Sequence, residues 1–190
     1  MRTHPVGTCS KPYPAPAAVP AGTRSVLDLG CGSAQITEAL DVSEGIFLCG
    51  LDLSLDPMLE GISAGRRVRF VQGSGEKLPL KSGSFDYVVS GVALPYMDLP
   101  VTLREIRRVL RPGGGLWASL HPMPFAWHDF MRAMRSLSWK NLIFRPYVFL
   151  NGFYFHLTGR LFRFPLKRVR CESFQSKRGM AIALHEAGFD

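Results

Sequence analysis

The chain has 190 residues, 46% hydrophobic and 20% charged, with 19 Gly and 14 Pro; this balance excludes a disordered tail, a collagen-like fibre and a coiled coil, and fits one sizeable globular domain. Its net charge of +8 is regional, because residues 1–99 hold 8 Lys+Arg against 10 Asp+Glu while residues 100–190 hold 15 against 5, so any affinity for nucleic acid or an anionic membrane must rest on the second half. No apolar run approaches the roughly 18–20 residues that cross a bilayer, and the start Met1-Arg2-Thr3-His4-Pro5 lacks a secretory apolar core, which reads as a soluble, cytoplasmic protein.

In chain order, residues 9–22 carry four prolines, which remove backbone donors and keep the chain extended; residues 1–23 are therefore a tail or linker ahead of a domain over 24–190. Val26–Leu29 is a buried strand and Ile36–Leu40 the end of a short helix. Ile46–Leu51 is a second strand, and Pro57–Ile62 a helix opened by Asp56 as N-cap. Val68–Val71 and Phe85–Val89 are further strands. Helix 101–110 places Leu103, Ile106 and Leu110 on one face, keeps Arg104, Arg107 and Arg108 off it, and stops at Arg111-Pro112-Gly113. Leu116–Leu120 is the fifth strand. Strands alternating with helices, apolar on both faces, predict an α/β fold, a doubly wound, mostly parallel sheet. Residues 121–173 are an aromatic and basic insertion, within which 151–164 predict a hairpin turning at Thr158-Gly159. The cysteines, Cys9, Cys31, Cys49 and Cys171, form no Cys-x-x-Cys pair and have no His at ligand spacing, so neither a zinc site nor a disulfide framework is indicated.

The chemistry concentrates where the first strand runs into Gly30-Cys31-Gly32. In an open parallel sheet the ligand crevice lies beyond the carboxyl ends of the strands, at the switch in strand order. Gly30 and Gly32 let a ligand approach the backbone, and the helix that follows offers free N–H groups. Asp52 lies 20 residues beyond Gly32, where a carboxylate accepts from both hydroxyls of a ribose. Loop and acid together indicate an adenosine-containing cofactor. The dinucleotide fingerprint fails at Gln35, and the P-loop fails because no Lys-Ser or Lys-Thr follows the glycines. Asp28, two residues before Gly30, suits a ligand carrying positive charge better than one carrying phosphates.

Five ordered blocks carry a resemblance: V-L-D-L-G-C-G-S-A at 26–34, G-L-D-L-S at 50–54, F-V-Q-G-S-G-E-K-L-P-L at 70–80, S-F-D-Y-V-V-S at 84–90 and L-R-E-I-R-R-V-L-R-P-G-G at 103–114. The chain resembles the class I S-adenosylmethionine-dependent methyltransferases, particularly those with small-molecule substrates, whose fold is Rossmann-like. M-A-I-A-L-H-E-A-G-F at 180–189 looks like the last helix of that family. The resemblance implies that Asp28, Gly30, Cys31 and Gly32 surround the methionine part of the cofactor, that Asp52 holds the ribose, and that Leu53 and Met58 pack on the adenine. It also implies that Ser74 and Gly75 meet the adenine edge and that Ser90 lines the floor. Ala34 stands where the family's third glycine is expected, and Ser74 where an acid usually meets the adenine amino group, with Glu76 a less favoured substitute. The family normally adds two strands after the last helix, so the sheet is expected to lack them: either the chain is truncated, or the hairpin or a second copy covers the open edge.

An activated sulfonium methyl requires a nucleophile placed in line and the removal of one proton. His121, directly after the fifth strand, is the first choice of base; Tyr96 follows it and His128 ranks below. The sequence after the fourth strand, S-G-V-A-L-P-Y, lacks the groups expected for base methylation. The insertion has three readings: a lid over an apolar acceptor, an anionic-membrane contact, and, ranked last, an RNA-binding surface. The expected partner is thus a small apolar acceptor, with peripheral contact to an anionic membrane and a homodimer left open. A partial fold that binds cofactor or a partner without catalysing is the alternative.

Overall fold

A computed structural model describes residues 19–40, 42, 45–135, 139–163 and 171–189, and the backbone alone for the parts of 133–142 within that set. Residues 1–18 of the Pro-rich tail, with Cys9, lie outside the described residues. The strands are β1 (Ser25–Leu29), β2 (Phe47–Asp52), β3 (Arg69–Gln72), β4 (Phe85–Gly91) and β5 (Leu110–Ser119); the helices are α1 (Gln35–Ala39), α2 (Leu55–Ser63), α3 (Leu99–Val109), α4 (Met123–Arg135), α5 (Trp139–Thr158) and α6 (Lys177–Glu186). The strands form one sheet in the order β3-β2-β1-β4-β5, parallel at every pairing. This is the doubly wound α/β architecture that the apolar strand pattern predicts.

Period-two alternation divides the core across the two faces of the sheet. Leu27 and Leu29 of β1 and Val88 of β4 join Leu99, Leu103 and Ile106 of α3 in one cluster, whereas Val26, Tyr87 and Val89 join Leu40 in another. Two polar anchors fix the frame. Asp86, at the start of β4, accepts from the N–H groups of Arg24 and Ser25 at 2.9 Å and pairs with Arg111 of β5 at 2.6 Å; those bonds hold its carboxyl well below the usual carboxylate range. Glu105 of α3 binds Arg108 and the N–H of Leu78, while Arg108 reaches the carbonyls of Leu78 and Leu80, so α3 clamps the segment between β3 and β4.

Three local expectations are corrected. Helix α2 starts at Leu55 with Ser54 as N-cap, so Asp56 lies inside its first turn. Helix α3 ends at Val109, and Leu110 already pairs with Phe85; the chain then bulges, with Gly113 at φ 77, before Gly115 takes up the regular register opposite Tyr87. Residues 151–158 are the end of α5 rather than a hairpin strand. Phe144, Tyr147, Val148, Asn151, Gly152 and Phe155 are buried at helical spacing, and Gly159, at φ 68, ends the helix by donating to the carbonyl of Phe155. Among the described residues no strand pairs with the outer edge of β5. Beyond its end, extended residue Gln175 donates its N–H to the carbonyl of His121, and the Gln175 side chain accepts from the N–H of His121.

Candidate functional site

The order of strands turns between β1 and β4, and the loop after β1 crosses the carboxyl end of β2 there. The Leu51 carbonyl accepts from the N–H groups of Gly30 at 2.7 Å and Cys31 at 3.1 Å. The Asp52 carboxylate accepts from Gly32 at 2.8 Å through one oxygen and from Ser54 at 2.9 Å through the other, and the Asp52 carbonyl accepts from Gly73 at 2.9 Å. One residue thus fastens three chain segments together. Gly30 adopts φ 73, and a Cβ there would stand 2.1 Å from that of Ala93, so the loop after β4 closes onto Gly30 only because it is glycine. The result is a crevice of about 300 Å³ lined by Gly30, Cys31, Gly32, Ser33, Gln35, Ile36 and Gly91.

Two non-glycine residues beside this crevice have left-handed backbones. Ala34, at φ 62, occupies the conformation for which a glycine is expected, and Val92, at φ 61, follows Gly91 directly. For a β-branched residue such as Val92 this is strained, at a cost of order 1–3 kcal/mol, and the strain sits at the mouth of the crevice. Helix α1 has only five residues, and the N–H groups of Gly30, Cys31, Gly32 and Ala34 are all taken up within the protein, by the Leu51 carbonyl, Asp52 and the Cys31 carbonyl, so the free backbone donors expected there are not found on these residues.

The sequence-predicted residues separate into three groups. Gly30, Cys31 and Gly32 line the crevice, Asp52 forms its rim through Gly32, and Leu53 beside it is 67% exposed. Asp28 lies beneath the loop: Thr37 of α1 donates a hydrogen bond to one carboxyl oxygen, the other has no partner among the described residues, and burial pushes the carboxyl up to about 6. Gly75 is buried, packed so closely that a Cβ would stand 2.7 Å from Met97 Sδ, while Ser74 turns back to accept from the N–H of Glu76. Met58 and Ser90 differ from expectation. Met58 is 1% exposed in the core, and the fully buried Ser90 donates its hydroxyl to the Leu29 carbonyl, so neither presents surface to the crevice. Glu76 accepts from the N–H of Asp98 at 2.9 Å and faces Arg163 at 3.6 Å, which gives it a role at the start of α3 rather than toward a base.

His121 and Tyr96, 25 residues apart in sequence, are brought together with ring centroids 5.4 Å apart and edge-on, and Phe125 stands 4.4 Å from His121 on another side. Burial lowers the His121 pKa, against a smaller opposing pull from Asp129, which keeps the imidazole neutral at pH 7 and able to accept a proton. The two backbone bonds to Gln175 fix its position. His128 is exposed on α4. Sequence reasoning missed Met97, Ile36 and Gly91. Met97 packs on Gly75 and lies 3.8 Å from the Cβ position of Gly30, and a Cβ on Gly91 would overlap Ile36. Each is a close approach between segments far apart in sequence, for which no local motif exists.

These residues fit S-adenosylmethionine: a crevice walled by the backbone of Gly30, Cys31 and Gly32, the Asp52 carboxylate bonded to that loop, and the unpartnered oxygen of Asp28 for a cationic group. Among the described residues no cluster of His, Cys, Asp or Glu could hold a metal ion. Comparison with known proteins leads in the same direction. Residues 27–118 match a family model described as a methyltransferase domain. A demethylmenaquinone methyltransferase of Lactococcus lactis subsp. lactis is 32% identical over 143 residues, covering 60% of this chain and 56% of that protein. A protein of the same name from Staphylococcus aureus is 37% identical over 99 residues, 49% of this chain and 41% of that protein. The chain therefore spans about half the length of the curated relatives it matches. The fold matches a solved SAM-dependent methyltransferase from Thermotoga maritima with TM-score 0.58 at 19% identity, over 88% of this chain and 64% of that one.

Proposed function

We propose, on the premise that residues 27–118 are a class I S-adenosylmethionine-dependent methyltransferase domain, that this chain methylates a small apolar acceptor of quinone type. The observation that carries the cofactor part is the Asp52 junction, which fixes the glycine loop across the carboxyl end of β2 and sets a carboxylate against it. The acceptor part is supported by the apolar wall of Tyr96 and Phe125 around His121 and by the names of the relatives.

Gly30, Gly32 and Asp52 would hold the cofactor, with Asp28 beneath its charged end. Bound there, S-adenosylmethionine supplies a methyl group already activated on a sulfonium sulfur. Placement and the removal of one proton remain for the protein. The rings of Tyr96 and Phe125 give a flat acceptor an aromatic surface to lie against. His121, held neutral by burial, accepts the acceptor's proton at a ring nitrogen, and Gln175 keeps its backbone in place.

Methyl transfer to a demethylmenaquinol analogue, followed by product mass, tests this directly. Wild type turns over, and His121→Ala lowers kcat by about 10²-fold or more with cofactor affinity unchanged. Full turnover by His121→Ala would dismiss it as the base. Wild-type protein that binds cofactor but leaves the quinol unmethylated would remove the quinone reading.

A further inference from the structure

Helix α5 is apolar on two opposite sides. Its inner stripe, with Phe144, Tyr147, Val148 and Phe155, is buried. Its outer stripe, Ile143, Leu150, Tyr154 and Leu157, recurs at helical spacing and stands 49, 64, 41 and 62% exposed, with Phe153 beside it. Scattered exposed apolar side chains are ordinary on a protein surface; a whole helix face of them is not. Helix α4 adds Met123, Trp127 and Met131, exposed at i, i+4 and i+8, and packs on α5 where Trp127 meets Phe149 edge-on at 5.9 Å. Among the described residues no helix is long and apolar enough to cross a membrane.

The charge of this region identifies what it faces. By sequence, residues 121–170 hold nine Lys and Arg and one acid, Asp129, with Lys167, Arg168 and Arg170 outside the described residues; Arg132 is exposed on α4, Arg160 and Arg163 keep most of their side chains exposed while facing Glu186, Glu76 and Asp98, and Arg145 pairs with Asp129 and Glu172. A second copy seated on this face would bring two such segments together, which like-charge repulsion opposes. Nucleic acid would satisfy the charge and could stack on Trp127, Phe153 and Tyr154, yet it would leave the aliphatic majority of the face, Ile143, Leu150, Leu157, Met123 and Met131, without an apolar partner. An anionic bilayer surface satisfies both features, taking apolar side chains at the acyl boundary and basic ones among the headgroups.

We propose that the outer face of α4 and α5 docks on anionic lipid membranes, lying in the interface plane. Docking does not depend on methyl transfer, so its test does not read activity. Vesicle co-sedimentation uses phosphatidylcholine alone and phosphatidylcholine with about one lipid in three replaced by phosphatidylglycerol. Wild type binds the anionic vesicles, spares the neutral ones, and dissociates as salt is raised. Leu150→Glu with Leu157→Glu, checked for unchanged circular dichroism and melting, lowers the partition coefficient about tenfold or more per residue. Arg132→Glu, a milder surface change, lowers it without touching the apolar stripe. The proposal is overturned by equal binding to neutral vesicles, by Glu variants that bind as wild type does, or by failure to bind anionic vesicles, whether the protein then dimerises with concentration or retards RNA.

Discussion

Asp28 is a buried carboxyl beneath the glycine loop, where burial and the proposed cationic ligand pull its protonation in opposite directions. Its native carboxyl is raised from 3.8 to about 6 by desolvation, with the Thr37 hydrogen bond pulling partly the other way. A raised acid pKa means that the folded state binds the proton more tightly. Asp28 therefore favours folding below about pH 4, and this contribution is lost as pH rises through 6, a difference of about 3 kcal/mol at most. Above pH 6 the buried carboxylate gains from a cationic partner. Affinity for S-adenosylhomocysteine, whose amino group is charged, should fall as pH drops below about 6 in wild type, and should be weak and pH-independent in Asp28→Asn. Calorimetry across that range checks this, and a flat wild-type profile would separate Asp28 from the ligand. At this scale the glycine loop and its closeness to Asp52 were legible because both sit at the carboxyl ends of neighbouring strands, a fixed spacing apart. Met58 was misplaced because a buried methionine in a helix looks the same in sequence whether it faces core or ligand, and Ser90 because its hydroxyl serves the Leu29 carbonyl.

Among the elements, α5 departs furthest from its sequence expectation. Its stretch Phe153-Tyr154-Phe155-His156-Leu157 resembles strand alternation, since aromatic residues favour strands. The stronger signal was the inner stripe from Phe144 to Phe155 at three- and four-residue spacing, together with Gly159 as a helix stop. The outer apolar stripe obscured that period. Asn151 joins α5 to the chain around it: its amide nitrogen donates to the Tyr147 hydroxyl and the Glu172 carbonyl, and its oxygen accepts from the N–H of Phe162, all while fully buried. Asn151→Leu removes the bonds to the Tyr147 hydroxyl, the Glu172 carbonyl and the Phe162 N–H from a buried position, and should cost about 3 kcal/mol in urea unfolding. A loss below about 0.5 kcal/mol would show that solvent or a local shift replaces these bonds.

Across the whole molecule, the sheet over residues 24–120 was legible because parallel strands buried on both faces carry continuous apolar runs, which the order β3-β2-β1-β4-β5 accounts for. Residues 121–163 were not, since their helices pack on each other and on α6 through tertiary contacts without a motif. The uneven charge also maps onto the fold: the near-neutral half, residues 1–99, carries β1 to β4, and the basic half carries most of α3, β5 and α4 to α6. The proposed cofactor site depends most on the Asp52 junction. Calorimetric titration of the folded protein with S-adenosylhomocysteine, for wild type and Asp52→Ala, tests it most directly. Wild type should bind one equivalent, and Asp52→Ala should bind about tenfold more weakly or worse, losing the ribose acceptor and the anchor of Gly32 together. No binding by folded wild type, or equal binding by the two proteins, would contradict it.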